Sequence, residues 1–108
     1  MDMVKRYDIH WVDLNPVMGS EMSKIRPAVI ISPDELNQHL RTVIIAPLTS
    51  TIRNYPFRIK VMADNKMGEI ALDQLRTIDK SRLKGKLATL TENKRKELHQ
   101  LLHQMFEE

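Results

Sequence analysis

The sequence of 108 residues has no cysteine, three glycines and few aromatic side chains: one tryptophan, two tyrosines and two phenylalanines. Without cysteine, a disulfide framework, thiolate chemistry and a cysteine-ligated zinc site are all excluded. Three widely spaced glycines cannot build a glycine-rich phosphate-binding loop. The longest apolar runs, Ala28–Ile31 and Val43–Leu48, are too short to span a bilayer.

Length and composition fit one domain covering residues 1–108, with 42% hydrophobic residues to form its core. The N-terminal residues, Met1–Asp8, contain no apolar stretch of signal-peptide length. We therefore expect a cytoplasmic protein with no membrane partner. Lysine and arginine outnumber aspartate and glutamate by 17 to 14, a small excess of positive charge.

Alternating apolar residues predict six strands, and two capping signals predict helices. Ser32 is the expected cap of a short helix, with Pro33 in its first position and Glu35 completing a capping box. Thr91 is the expected cap of a C-terminal helix with an apolar stripe. The predicted strands cover residues 7–14, 26–32, 42–46, 57–62, 67–78 (with a bend) and 86–90. This order indicates a mainly antiparallel sheet or small barrel covered by the last helix.

Polar residues collect at three predicted junctions of strands and loops: in and after loop 15–24, at the end of the third strand, and where the first half of the fifth strand ends. They are Ser20, Glu21, Lys24, Arg26, Thr49, Ser50, Asp73 and Gln74. Loops on a rigid scaffold are common sites of function, so these junctions predict a polar cleft at one rim. The alternative is that they are solvated strand ends.

The histidines and one run of cations give weaker signals. Lys80, Arg82, Lys84 and Lys86 alternate, and on one extended strand all four would share a face. Such a face suits a phosphate backbone, but a solvated strand face explains it equally well. His10 is expected to face solvent from the first strand, with a role as base less favoured. We place His99 and His103 on the polar face of the last helix, and His39 near the end of the short helix.

Three motifs occur in order across almost the whole chain. Gly19-Ser20-Glu21 precedes Arg26–Ile30 (RPAVI), Ala46–Ser50 (APLTS) follows, and Gly68–Asp79 (GEIALDQLRTID) precedes Arg82. In sequence and spacing the chain resembles the MazF/PemK (Kid) family of toxins from type II toxin–antitoxin systems.

The resemblance implies an SH3-like barrel of the CcdB/PemK-like toxin fold, with a short helix after the second strand and a C-terminal amphipathic helix. It implies an mRNA interferase, that is, a sequence-specific endoribonuclease acting on single-stranded RNA. By residue match, Arg26 and Thr49 take the family's catalytic positions. Glu21, Asp73 and Gln74 match positions that border the cleft and help to recognise bases.

Two departures from the family pattern select one version of its active site. Some members carry histidine where this chain has Ser20, and some carry arginine where it has Ala71. The chain therefore lacks the His/Arg/Asp version and keeps the Arg/Thr version. Ser23 and Lys24 stand where relatives often have glycine.

The expected mechanism needs neither a metal nor another cofactor, because the 2′-hydroxyl of RNA can attack the adjacent phosphorus. The products would be a 2′,3′-cyclic phosphate and a 5′-hydroxyl. Arg26 would stabilise charge on the phosphate, and Thr49 would orient it. Glu21 is the expected base, with Asp73 as its competitor. The alternative for Arg26 is a structural ion pair with Glu21 or Asp73.

Single-stranded RNA is the expected substrate because its bases can be recognised on their edges. The predicted RNA-binding residues are Ser20, Lys24, Ser50, Arg53, Asp73, Gln74, Arg76, Lys80 and Lys84. The alternative for Gln74 is a buried role within the sheet.

The resemblance also implies partners: a homodimer, a MazE-like cognate antitoxin, and operator DNA only through the antitoxin complex. Two other functions stay open. One is a gyrase poison of the CcdB type, whose resemblance implies a tryptophan in a C-terminal tail, whereas the sole tryptophan here is Trp11. The other is a non-catalytic RNA-binding barrel.

Overall fold

The computed structural model describes residues 3–108; Met1 and Asp2, the start of the N-terminal segment considered above, lie outside them. Seven strands, two α-helices and two short 3₁₀ helices follow one another in these residues. In chain order they are β1 (Asp8–Asp13), β2 (Ile25–Ile30), α1 (Asp34–His39), β3 (Thr42–Thr49), β4 (Arg58–Ala63), β5 (Lys66–Ala71), a 3₁₀ helix (Leu72–Gln74), β6 (Arg76–Asp79), a 3₁₀ helix (Lys80–Arg82), β7 (Leu83–Thr89) and α2 (Glu92–Phe106).

All strand pairs are antiparallel, in the order β4-β5-β3-β2-β1-β7, with β6 added beside β3. The sheet curls into a half-barrel with α2 packed on it. This confirms the predicted mainly β fold, with a short helix after the second strand and a helix at the C-terminal end.

The third strand is longer than predicted. We expected it to end at Ala46, before Pro47, yet β3 continues to Thr49. Residues 42–45 pair with β6, whereas Leu48 and Thr49 pair with β5. Pro47 lies between the two stretches, where the missing N–H interrupts neither ladder.

The predicted capping box of α1 is wrong. Helix α1 begins at Asp34, after Pro33, and no side chain caps it. The Ser32 hydroxyl instead donates to Asn37 Oδ1 at 2.6 Å and accepts the Ile44 N–H at 3.0 Å. Because Ser32 is buried, its hydroxyl serves tertiary contacts rather than the helix start. Thr91 does precede α2, but its side chain makes no capping hydrogen bond either.

The four-cation ladder also needs correction. Lys80 and Arg82 lie in a 3₁₀ helix, so they do not share a strand face with Lys84 and Lys86. The Lys80 ammonium donates to the Asn37 carbonyl, and Arg82 donates to the carbonyls of Asp13 (3.1 Å) and Asn15.

Residues of β2 are buried on both faces of the sheet, as predicted. Val29 joins one apolar cluster, which is closed by α2 through Leu98, whereas Ala28 and Ile30 join a second cluster. Val17 and Met22 from the β1–β2 loop pack against the second cluster, which ties this loop to the core. Neither helix has the length and apolar character needed to cross a membrane, considering residues 3–108.

One histidine of α2 is not on its polar face. His99 is half-buried, and its Nε2 lies 2.5 Å from the Tyr7 hydroxyl. His103 is exposed, as expected. The polar-face assignment was therefore wrong for His99, because the apolar stripe of α2 does not show that Tyr7 packs beside it.

We expect Leu98→Ala to lower the free energy of unfolding by about 2–5 kcal/mol, because Leu98 is fully buried and the truncation leaves a cavity. Urea unfolding followed by circular dichroism would measure the loss. Leu36→Ala on the exposed side of α1 is the matched control and should cost much less. Equal losses in the two variants would contradict this account of how α2 is attached.

Candidate active site

Two cavities border the β1–β2 loop and the C-terminal end of β3. The first has a volume of about 310 Å³, within the range of ligand-binding pockets, and contains Arg26, Thr49 and Ser50. Its charged lining residues are Lys24, Arg26, Lys66 and Asp64. Three cations against one carboxylate make this cavity electropositive, which suits a phosphate group.

Arg26 enters this cavity from the start of β2. The pairing of Ala28 with Pro47 sets the register between β2 and β3, and continuing it by two residues brings Arg26 opposite Thr49. Arg26 Nε donates to the Ser23 carbonyl at 2.8 Å, which fixes the guanidinium against the loop. No carboxylate of residues 3–108 forms an ion pair with it. The alternative of a structural ion pair with Glu21 or Asp73 is therefore wrong.

A hydrogen bond just after the end of β3 positions the Thr49 hydroxyl. Its Oγ1 accepts the Thr51 N–H at 3.2 Å, so its proton is the group that it can offer to a ligand. Strand β5 passes very close here: a Cβ on Gly68 would lie 2.6 Å from the Thr49 carbonyl oxygen. Gly68 is therefore needed for β5 to pair with β3 beside Thr49.

The second cavity, of about 240 Å³, has the opposite charge balance. Its charged lining residues are Glu21, Asp73 and Arg76, and Gln74 lines it as well. Carboxylate and amide groups are suited to base edges rather than to phosphate. The structure thus brings Glu21, Asp73 and Gln74 together, but in a different cavity from Arg26 and Thr49.

Several of these residues also hold the β1–β2 loop. Gln74 Oε1 accepts the Met22 N–H at 3.5 Å, and Arg76 donates to the Leu14 carbonyl at 3.2 Å. Glu21 Oε1 accepts the Met18 N–H at 2.6 Å, which closes a turn at the tip of the loop. Gln74 is therefore bonded to the loop rather than within the sheet.

The remaining predicted RNA-binding residues lie outside both cavities, except Lys24, which lines the first. Ser20 and Arg53 are exposed in the two loops, and Lys84 is exposed on β7. The Lys80 ammonium is bonded to the Asn37 carbonyl, at the far end of β2 from Arg26. The structure therefore does not gather all of the predicted residues at one place.

Sequence reasoning missed an ion-pair network beside the site, in which Glu69 is buried and Asp73 is exposed. Glu69 is only 1% exposed, and its carboxylate accepts the N–H groups of Arg53 (2.9 Å) and Asn54 (3.0 Å). Arg58 bonds Glu69 at 3.4 Å and forms a two-point pair with Asp73 at 2.7 and 3.1 Å. The sequence shows only an acid in an apolar strand, a signal that could have been followed because buried carboxylates need partners.

Hydrogen bonds set the ionisation of this network. Burial alone would raise the pKa of Glu69, but the Arg53 and Asn54 N–H groups and the Arg58 guanidinium outweigh it, so the pKa is lowered. The pKa of Asp73 is lowered chiefly by its hydrogen bond from Arg58. Both carboxylates are therefore charged at neutral pH.

Two residues of β1, His10 and Trp11, lie in surroundings that the sequence did not predict. His10 does not face solvent freely: it is half-buried, its Nε2 has no hydrogen-bond partner, and burial lowers its pKa. It lines neither cavity. Trp11, which the sequence did not single out for the site, lines the first cavity with Arg26.

We expect the chemical shifts of the Arg53 and Asn54 amide protons to follow the ionisation of Glu69. Their common midpoint should lie below a pH of about 4.3, the ordinary pKa of glutamate. Because the folded pKa of Glu69 is lowered, its contribution to stability is present above the unfolded pKa and is lost as pH falls through the folded one. An NMR pH titration measures the midpoint. Glu69→Gln should abolish the titration, and a midpoint above 4.3 would contradict the network.

The chain is similar to known proteins over almost its whole length. The family model described as "PemK-like, MazF-like toxin of type II toxin-antitoxin system" matches residues 5–106. The chain is 41% identical over 103 residues to the endoribonuclease MazF of Staphylococcus saprophyticus, covering 90% of this chain and 86% of that protein.

Solved structures show the same fold. The crystal structure of MazF from Deinococcus radiodurans (Form-I) superposes with a TM-score of 0.86 and 25% identity over 97% of each chain. A MazE–MazF complex from that organism (Form-II) matches with a TM-score of 0.80 and 25% identity, covering 97% of this chain and 96% of the other. The resemblance noted in the sequence is confirmed: the chain belongs to the PemK-like, MazF-like toxin family of type II toxin–antitoxin systems.

Proposed function

We propose that this protein is a sequence-specific, metal-independent endoribonuclease that cleaves single-stranded RNA. The 2′-hydroxyl attacks the adjacent phosphorus and the bond to the 5′-oxygen breaks, which leaves a 2′,3′-cyclic phosphate and a 5′-hydroxyl. The observation that carries the proposal is that Arg26 and Thr49 line one electropositive cavity and that Arg26 has no carboxylate partner among residues 3–108.

Arg26 stabilises the negative charge that develops on the phosphate oxygens. Its Nε is held by the Ser23 carbonyl, so its terminal nitrogens are the donors available to a ligand. A fixed, permanently charged donor set needs little reorganisation when the phosphate gains charge. Thr49 donates its hydroxyl proton to the phosphate or to the attacking 2′-hydroxyl, and Lys24 adds positive charge.

The second cavity recognises a nucleobase next to the cleaved bond. Gln74 offers an amide donor and acceptor, and Asp73 and Glu21 offer acceptors. Glu21 remains the proposed general base, the group that takes the proton from the 2′-hydroxyl, although it lines this cavity rather than the first. Ser20, Ser50, Arg53, Arg76, Lys80 and Lys84 remain proposed RNA contacts, those outside the cavities serving the flanking backbone.

The proposed partners follow the relatives. The MazE–MazF complex of Deinococcus radiodurans supports a cognate antitoxin. We propose that this antitoxin contains an acidic segment, which covers the electropositive cavity. We further propose that the protein acts as a homodimer in the cytoplasm and contacts operator DNA only through the antitoxin complex.

A long single-stranded RNA, incubated with the purified protein in EDTA, should give discrete fragments with 5′-hydroxyl ends. Because RNA supplies the nucleophile, chelation should not slow the reaction. End-labelling with polynucleotide kinase, without prior phosphatase treatment, detects these ends, and primer extension maps the sites. Binding without cutting would support a non-catalytic RNA-binding barrel instead, and complete inhibition by EDTA would contradict the metal-independent mechanism.

We expect Arg26→Ala to lower kcat on the order of 10²- to 10³-fold, the usual cost of removing a preorganised donor from a transition state. Single-turnover cleavage of the mapped RNA site measures this loss. Arg41→Ala is the matched control because it removes the same charge from an exposed position before the opposite end of β3. A folded Arg26→Ala protein that cuts at the wild-type rate would remove Arg26 from the mechanism.

A further inference from the structure

The loop between β3 and β4, residues 50–57, begins at the first cavity with Ser50 and carries an exposed aromatic side chain, Tyr55. Tyr55 is 53% exposed, and the Arg58 guanidinium carbon lies 5.2 Å from the centre of its ring. We propose that Tyr55 is a stacking platform for one unpaired nucleobase, held in place by Glu69 and Arg58. The choice of RNA as the ligand rests on the function proposed above.

The loop is pinned immediately before this tyrosine. Glu69 accepts the backbone N–H groups of Arg53 and Asn54 with both of its oxygens, so the two residues preceding Tyr55 are tied to strand β5. Asn54 has a left-handed φ of 57°, a conformation that asparagine adopts more readily than most non-glycine residues, and its N–H bond to Glu69 holds it there. An irregular loop thus acquires a defined shape from one buried carboxylate.

Arg58 contacts the ring itself. The edge of its guanidinium is occupied by Asp73 and Glu69, and it lies over the tyrosine ring as a cation over a π face. One face of the ring is therefore covered by protein, while half of the side chain stays accessible. A ring that is restrained on one face loses less conformational freedom when a base stacks on the other face.

The position of Tyr55 fits a strand that crosses both cavities. Its loop starts at Ser50, which lines the first cavity, and Arg58 joins it to Asp73, which lines the second. Aromatic side chains beside cationic grooves are the usual means of holding splayed bases of single-stranded RNA. The exposed Met62 and Met67 pair across β4 and β5, but they have no planar face to offer.

The test measures RNA binding while two changes are made singly and together: substitution of Tyr55 and removal of one nucleobase from the RNA. The probe is a short RNA spanning the mapped cleavage site, with 2′-deoxyribose at the attacking nucleotide so that it is not cut, and with one base at a time replaced by an abasic residue. We expect one abasic position to weaken binding by the wild-type protein by about fivefold or more. Tyr55→Leu keeps the bulk of the side chain but loses the planar ring. For this variant, the abasic residue at that position should not weaken binding further.

Two further variants and one control variant separate the effect of stacking from that of loop stability. Tyr55→Phe keeps the ring and should bind like the wild type, with the same abasic penalty. Glu69→Gln should raise KM while kcat at saturating RNA stays within about twofold, because the loop loses its shape but the first cavity keeps Arg26. Asn37→Ala, which also removes a buried hydrogen-bonding side chain, lies by the far end of β2 and should leave KM unchanged.

The outcomes are distinct for the two proposals. An abasic penalty that persists in Tyr55→Leu, or a Tyr55→Phe protein as weak as Tyr55→Leu, would overturn the stacking proposal while cleavage by the wild type stands. If the wild type cuts no RNA, the proposed function fails, and the same cycle on a short all-ribose RNA of mixed sequence, again with one abasic residue at a time, still decides the role of Tyr55. Absence of any RNA binding would overturn both.

Discussion

The structure depends on the way one strand changes its partner. Strand β3 pairs with β6 along its first half and with β5 at its last two residues, and Pro47 lies between these two stretches. This change brings Gly68 and Glu69 of β5 next to Thr49. As a result, the hydroxyl of the candidate site and the carboxylate that anchors the neighbouring loop are set by the same pair of strand ends.

In the proposed function, the two cavities recognise different parts of the RNA because they differ in charge. Arg26, Lys24 and Lys66 make the first cavity electropositive, whereas Glu21 and Asp73 make the second acidic. A phosphodiester and the edge of a base have opposite electrostatic needs, because phosphate attracts cations and exocyclic amino groups attract carboxylates. Neighbouring cavities of opposite charge therefore favour one register of a bound strand over others.

Both loops at the site are held by interactions that their own sequences do not reveal. The β1–β2 loop and the end of β1 are fixed by Gln74, Arg76 and Arg82, which bond their backbone from positions distant in the sequence. The β3–β4 loop is fixed by Glu69. Loops with such anchors can carry functional groups at defined positions without being part of the regular structure.

The sequence by itself determined the strand alternation, the amphipathic last helix and the motifs of Arg26, Thr49 and Gln74, because apolar periodicity and residue order are local properties. It could not show that β3 runs through Pro47, that Ser32 bonds Asn37 rather than capping α1, or that Lys80 and Arg82 leave the strand. Nor could it show that Arg58 joins Glu69 to Asp73. Each of these depends on which distant groups the folded sheet brings within hydrogen-bonding distance, and only the tertiary structure decides that.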